Sequence, residues 1–207
     1  MNSAQSPSRT QQWLAPVLVT VLLSSNLIAT GKTIEVLGYP IGAANFVFPF
    51  AYLLLIFAVE SLGVQSARRM IAIGATCVAL ASSMAWFILE LTPSESWSDQ
   101  NVYETVFRQT PRVALCSVAA FVIAGTITTE TTLRMSRWTR GRFLWLRCMG
   151  AAILGQGIDS LLFYPAAFYG KWPDAVLVRV LFTSLVVKVG WQLLLTPGVY
   201  VGRRLAR

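Results

Sequence analysis

Apolar residues in this chain come in long runs, separated by short clusters of charge. Six runs, at about 13–30, 41–62, 70–91, 113–129, 143–168 and 175–199, carry few charged residues. A helix needs roughly 20 apolar residues to cross a bilayer, so each run predicts one membrane-spanning helix. No period-two alternation of the kind a transmembrane barrel requires runs through them. The expected fold is therefore an all-α integral membrane protein with six transmembrane helices. A tail at 1–12 precedes a six-helix domain at 13–202, and a basic tail at 203–207 follows it. The fifth and sixth runs are long enough to tilt or break, and Pro165 sits where it could kink the fifth. The one sizeable loop, 92–112, is acidic in its first half (Glu95, Asp99, Glu104), and no internal repeat is visible.

The polar residues inside the runs carry the chemical information. In the second run Asn45, Pro49, Tyr52, Ile56 and Glu60 recur at helical spacing and predict one stripe. In the fifth, Gln156, Asp159 and Phe163 share a face within an otherwise apolar stretch. Ser184, Lys188 and Trp191 do so in the sixth, with Gln192 adjacent, and Ser25-Asn26 lies late in the first. A charge at mid-membrane costs about 2.5–3.5 kcal/mol on insertion scales, so Asp159 marks a site by its position alone. Lys188 is the opposite charge in the neighbouring run, and pairing would lower the cost of burying both. Two readings of that pair stand side by side. In one it only ties two helices together. In the other Asp159 and Gln156 face a cavity and bind a planar polar solute, with Lys188 tuning the carboxylate. A carboxylate beside an amide suits a ring edge with adjacent N–H donors and a carbonyl, as in guanine.

The aromatic residues of the second and fifth runs read mostly as lipid-facing or interfacial. Tyr52 and Phe163 lie on the polar stripes and are the candidates to stack on a ligand ring, with Trp191 behind them. Glu60 ends the second run as either a solvated helix-end charge or a gate residue. Glu90 reads as interfacial, and Glu130 as half of a surface ion pair.

Composition agrees with the pattern: 207 residues, 55% hydrophobic and only 13% charged, against about 25% charged in soluble domains. The net charge of +8 would suit nucleic acid, but its placement argues topology instead. Arg9, Arg68, Arg69, Arg134, Arg137, Arg140, Arg142, Arg147, Arg203, Arg204 and Arg207 fall on one side of a six-span chain. Lys32, Arg108, Arg112, Lys171 and Arg179 fall on the other. The excess predicts that both termini are cytoplasmic. The first run is interrupted by Asn26 and followed by five others, so it reads as a retained span and not as a cleaved leader.

Several classes of chemistry are excluded. There is no histidine, so no imidazole can hold a metal or relay a proton; any coupling proton would have to run through Asp159 or Glu60. Cys77, Cys116 and Cys148 lack CxxC spacing and read as small packing residues. No Ser/His pair, HExxH or phosphate-binding loop is present, so the chain is not read as an enzyme and no cofactor is expected.

Taken in order, Ser25-Asn26 with Lys32, Phe48-Pro49-Phe50-Ala51-Tyr52, Glu60-Ser61-Leu62-Gly63 before Ala67-Arg68-Arg69, and Trp145-Leu146-Arg147 before Gly155-Gln156-Gly157-Ile158-Asp159-Ser160-Leu161-Leu162-Phe163 form a recognisable series. It resembles the queuosine precursor transporter family, also called the vitamin uptake transporter (VUT) family, and Lys188 before Pro197 is similar to that family's last span. The resemblance covers roughly 14–202. It implies a six-helix inner-membrane importer, similar in shape to the substrate-binding subunits of energy-coupling-factor transporters, and the queuosine precursor family's own substrates are 7-deazaguanines such as preQ0 or preQ1. Asn26, Glu60, Gln156, Asp159 and Lys188 occupy matching motif positions. The chain departs from the family pattern at Ile56, where members carry an aspartate. It departs again at Thr126-Ile127-Thr128-Thr129-Glu130-Thr131, where they tend to have Gln and Asp.

The candidate substrate-binding set is thus Asn26, Asn45, Tyr52, Glu60, Gln156, Asp159, Phe163 and Lys188. An importer acting alone, as a facilitator or proton-linked, competes with a capture subunit that needs an energising partner. Ala72, Ala75, Ala79 and Ala81, with Ala114, Ala119 and Ala120, are the small residues that would dock such a partner. A non-transporting membrane protein is the third alternative.

Overall fold

The computed structural model describes residues 9–29, 33–36, 38–107, 111–170 and 173–205. Seven α-helices follow in order: α1 Arg9–Ala29, α2 Pro49–Leu62, α3 Val64–Leu89, α4 Gln100–Phe107, α5 Pro111–Trp138, α6 Leu144–Phe168 and α7 Asp174–Leu205. Six of them correspond to the six apolar runs, and the seventh, α4, is a short exposed helix in the 92–112 loop. Five spans are long and apolar enough to cross a membrane by themselves. In α1 the apolar stretch is shorter, Gln12–Ile28. The chain is a multi-pass, all-helical membrane protein.

Three boundaries differ from the expectation. The segment before α2 is not helical from residue 41. Thr33–Val36 (β1) and Tyr39–Gly42 (β2) pair as an antiparallel hairpin, and a 3-10 turn at Ala43–Phe46 follows. Pro49 then opens α2 at its first position, where a missing N–H costs nothing. The predicted stripe in the second run is therefore broken, with Asn45 outside the α-helix. Loop two shrinks to Gly63, whose φ of +85° lets α2 end and α3 begin without a linker. Arg68 and Arg69 consequently sit exposed in the first turns of α3 instead of in a loop. On α5 the helix runs on to Trp138, so Arg134 and Arg137 are helical. Lys32, Arg108 and Lys171 lie outside the described residues.

The helices bury one another in two unlike groups. Leu14, Leu18 and Leu22 of α1, Ala51, Leu55, Ala58 and Val59 of α2, Met70 and Ile71 of α3 and Phe121 of α5 form an apolar core. A second, smaller cluster gathers Ile56 of α2 with Leu144, Cys148, Ala151 and Ala152 of α6 and Val199 of α7. Between α5 and α6 the backbones come close at Gly155: a Cβ there would stand 1.8 Å from Thr128 Oγ1. Outside, Leu80, Met84, Phe87, Leu115, Val178, Phe182 and Leu194 are exposed. On a soluble protein so much apolar surface would aggregate; on this one it meets lipid.

Candidate functional site

α6 and α7 run antiparallel, and their buried contact is polar, unlike the two apolar clusters. Lys188 Nζ lies 3.0 Å from Asp159 Oδ2 and donates also to Ser160 Oγ at 3.0 Å. Both charged side chains are almost fully buried, so neither is neutralised by water. The Phe48 ring lies 5.3 Å from the ammonium, close enough for a cation–π contribution. α2 adds Tyr52, fully buried, whose hydroxyl faces the Asp159 carboxylate without closing a hydrogen bond of normal geometry. The predicted pairing of the two opposite charges is what the helices form. Tyr52 joins them because Gly155, one turn from Asp159, leaves room for its ring against α6.

One turn along, Gln156 Nε2 donates to Gln192 Oε1 at 3.1 Å, with both residues sealed from solvent. Gln156 Oε1 and Gln192 Nε2 have no hydrogen-bond partner among the described residues, and neither does Trp191 Nε1. Buried polar atoms are nearly always paired, so the orphans here mark a region that the protein alone leaves unsatisfied; Ser61 Oγ and Arg147 Nε form a smaller second group. On the other side of the ion pair, Asn45 Nδ2 donates to Ser184 Oγ at 3.1 Å and lies 3.4 Å from Tyr164 Oη. Tyr164 and Ser184 share a hydrogen bond of 2.7 Å. The 3-10 turn thus plugs into the α6–α7 seam through a side chain, and Phe46 beside it packs edge-on against Trp191 at 5.6 Å.

Of the eight predicted residues, the structure brings Asn45, Tyr52, Gln156, Asp159 and Lys188 to this seam. Phe163 is half-buried and packs edge-on against Tyr164 and Phe168. Asn26 Nδ2 donates to the Leu22 carbonyl and Asn26 Oδ1 accepts from Ser117, which ties α1 to α5. Glu60 accepts from Arg147 Nη2 at 2.8 Å, an ion pair with both side chains buried. Arg147 therefore does not belong with the loop charges; the start of α6 at Leu144 folds it inside. Its Nη1 donates to the Arg142 carbonyl at 3.1 Å and to Thr139 Oγ1 at 3.3 Å. Twelve residues of α6 place this pair about 18 Å from Asp159 along the helix axis. The apolar cluster around Ile56, Cys148 and Val199 lies between the two.

Ile56 and the threonines of α5 account for the two departures from the family pattern. Ile56 is fully buried among apolar neighbours, where an unpaired carboxylate would be costly. Thr128, Thr129 and Thr132 are fully buried, and each hydroxyl donates to a carbonyl of its own helix at 2.8–2.9 Å. Glu130 pairs with Arg68. Sequence reading put Ser184 on the Lys188 face and Gln192 beside it, but left both of them, and Tyr164, out of the candidate set. The four-residue step Ser184–Lys188–Gln192 was the available signal, since side chains at that spacing stack on one face.

Comparison with known proteins follows the same lines. A family model described as "Putative vitamin uptake transporter" matches residues 42–202. A curated relative from Bacillus subtilis (strain 168), "Probable queuosine precursor transporter", is 26% identical over 175 residues, which is 84% of this chain and 76% of that protein. No solved structure matches. The family match covers most of the chain, including α2, α6 and α7 with their buried polar seam, and the protein belongs to the vitamin uptake transporter family of membrane transporters.

Proposed function

We propose that the protein imports a 7-deazaguanine of the queuosine-precursor type, or a closely similar planar polar metabolite, across the bacterial inner membrane. Both termini are cytoplasmic in this reading, as the arginine bias of the chain ends and of the 139–143 turn suggests. The observation that carries it is the Asp159–Lys188 pair, buried mid-seam beside unpartnered polar atoms of Gln156 and Gln192 and the Tyr52 hydroxyl. A carboxylate accepts from ring and exocyclic N–H groups, and with two oxygens Asp159 can take ligand donors while keeping Lys188, so neither charge stands alone. The name of the Bacillus relative supports the substrate class.

Movement through the protein needs two conformations that the ligand binds unequally. In the form described here the seam is closed below Asp159 by the Ile56 cluster and the Glu60–Arg147 pair, and above it by Asn45, Tyr164 and Ser184. The energy source is either consumption of the solute in the cytoplasm or a proton carried by Asp159 or Glu60.

A second reading, a capture subunit similar to those of energy-coupling-factor transporters, is favoured by α3. Ala72, Thr76, Ala79 and Ser83 are all exposed on one side of that helix, where a partner helix could approach closely. Uptake of radiolabelled 7-deazaguanine precursor separates the readings, in cells that lack their own importer and synthesis and express this chain alone. Uptake by wild type and none by Asp159→Asn is expected. Wild-type protein that reaches the membrane and carries nothing would favour the capture subunit, or a different ligand if a partner complex does not restore uptake.

A further inference from the structure

α7 presents five polar side chains to α6 at intervals of four residues: Ser184, Lys188, Gln192, Thr196 and Tyr200. Each is bonded across the seam, to Tyr164, to Asp159 and Ser160, to Gln156, to Met149 Sδ and to the Trp145 backbone N–H respectively. Four of these rungs leave no buried side-chain atom unpartnered among the described residues. The Gln156–Gln192 rung does. Two primary amides facing each other can close two hydrogen bonds; these close one, and an acceptor (Gln156 Oε1) and a donor (Gln192 Nε2) remain buried and unsatisfied.

As a clasp between helices this arrangement is poor. One interhelical hydrogen bond inside a membrane contributes less than two unpaired buried polar atoms cost. Leucine at both positions would pack α6 on α7 with no such deficit. An acceptor beside a donor, one helical turn from a carboxylate, is instead the complement of a ring edge in which an N–H adjoins a carbonyl. That edge is a lactam.

We infer that Gln156 and Gln192 together read the lactam edge of the transported heterocycle, Gln156 Oε1 accepting from the ring N–H and Gln192 Nε2 donating to the carbonyl. The inference rests on the proposed function, since it takes Asp159 to hold the same ring, and it names the atoms that set specificity. The amide pair rejects rings of the same shape that lack the carbonyl, because such a ring leaves Gln192 Nε2 buried and unpaired. Gln192 is then a specificity-determining residue, and its existing bond to Gln156 holds both amides in the orientation the ligand needs.

The test uses the full-length protein in lipid nanodiscs and two probes, 7-deazaguanine and its analogue with hydrogen in place of the oxo group. Wild type is expected to bind the oxo compound at least about tenfold more tightly than the analogue. Gln192→Leu, with its folding checked by thermal unfolding, is expected to bring that ratio near one. The comparison of the two probes on wild type needs no variant and stands even if Gln192→Leu fails to fold. Equal binding of both probes by wild type overturns the inference and leaves the proposed function intact. A folded Gln192→Leu that keeps the wild-type ratio also overturns it. Binding of neither probe by wild type overturns the inference together with the substrate class on which it rests.

Discussion

Two buried ion pairs join the same helix, α6, to its neighbours, and they are held in different ways. Glu60–Arg147 closes one end of the bundle at 2.8 Å, and its guanidinium is also held by the Arg142 carbonyl and Thr139 Oγ1. A planar fork with several partners has one good position, so this pair fixes the end of α2 against the start of α6. Asp159–Lys188 has a similar distance, 3.0 Å, but lies far inside both helices and uses an ammonium on a flexible stem. Its neighbours are a serine, two aromatic rings and polar atoms with nothing to bond. The first pair has its guanidinium held by three residues, and Nε alone of its nitrogens is unpartnered among the described residues. The second sits beside groups that the protein alone leaves unsatisfied, which is the condition under which a ligand gains most from arriving.

Breaking each pair should separate these roles. The largest effect is expected from Asp159→Asn, which leaves Lys188 buried without its counter-charge; removing one partner of such a pair costs about 3–5 kcal/mol. The double variant Asp159→Asn with Lys188→Met should regain the wild-type unfolding temperature while uptake stays absent. Recovery of transport in that double variant would show that the pair only joins helices. Glu60→Gln should destabilise by a similar amount, about 3–5 kcal/mol, for the same reason. There the double variant Glu60→Leu with Arg147→Met should regain stability and keep measurable uptake. A double variant as stable as wild type but inactive would instead assign Glu60 to transport, as the family resemblance implies.

A smaller effect is expected where the seam meets α5. Gly155→Ala puts a methyl 1.8 Å from Thr128 Oγ1 and 3.3 Å from the Tyr52 ring, so α5 and α6 must part or Thr128 must turn. Overpacking of this kind costs about 1–3 kcal/mol. Adding Thr128→Ala should restore most of it; a pair of variants no more stable than Gly155→Ala would place the strain elsewhere. The smallest effect belongs to the surface pair. Arg68 is more than half exposed against Glu130, and Arg68→Ala should change stability by less than about 1 kcal/mol and leave uptake unchanged.

The contrast between the pairs also marks how far the sequence can be read. Asp159 and Lys188 announce each other because opposite charges in adjacent apolar runs have few other ways to be buried. Arg147 gives no such signal. It stands among Arg140 and Arg142 at the edge of a run, where it counts as a loop charge until the helix boundary at Leu144 folds it inward. Asn45 reads as part of a helical stripe with Tyr52, yet Pro49 starts the helix after it and a hairpin delivers it to the seam from outside. Phe163 and Tyr164 are neighbours on one helix and equally aromatic. Only the packing of α7 and the 3-10 turn makes Tyr164 the one that bonds Asn45 and Ser184.

The sequence by itself determined that this protein crosses a membrane as several helices and that Asp159 and Lys188 lie within two of them. Those conclusions rest on transfer free energies, which depend on composition along a run and on little else. Tertiary structure alone decided which polar groups would be satisfied. Whether Gln192 completes its bonds, whether Thr128 turns to its own helix and whether Glu60 meets water or Arg147 depend on the rotation and register of one helix against another. Hydrogen bonds are directional and short, so a few ångströms of helix placement separate a clasp from a binding site.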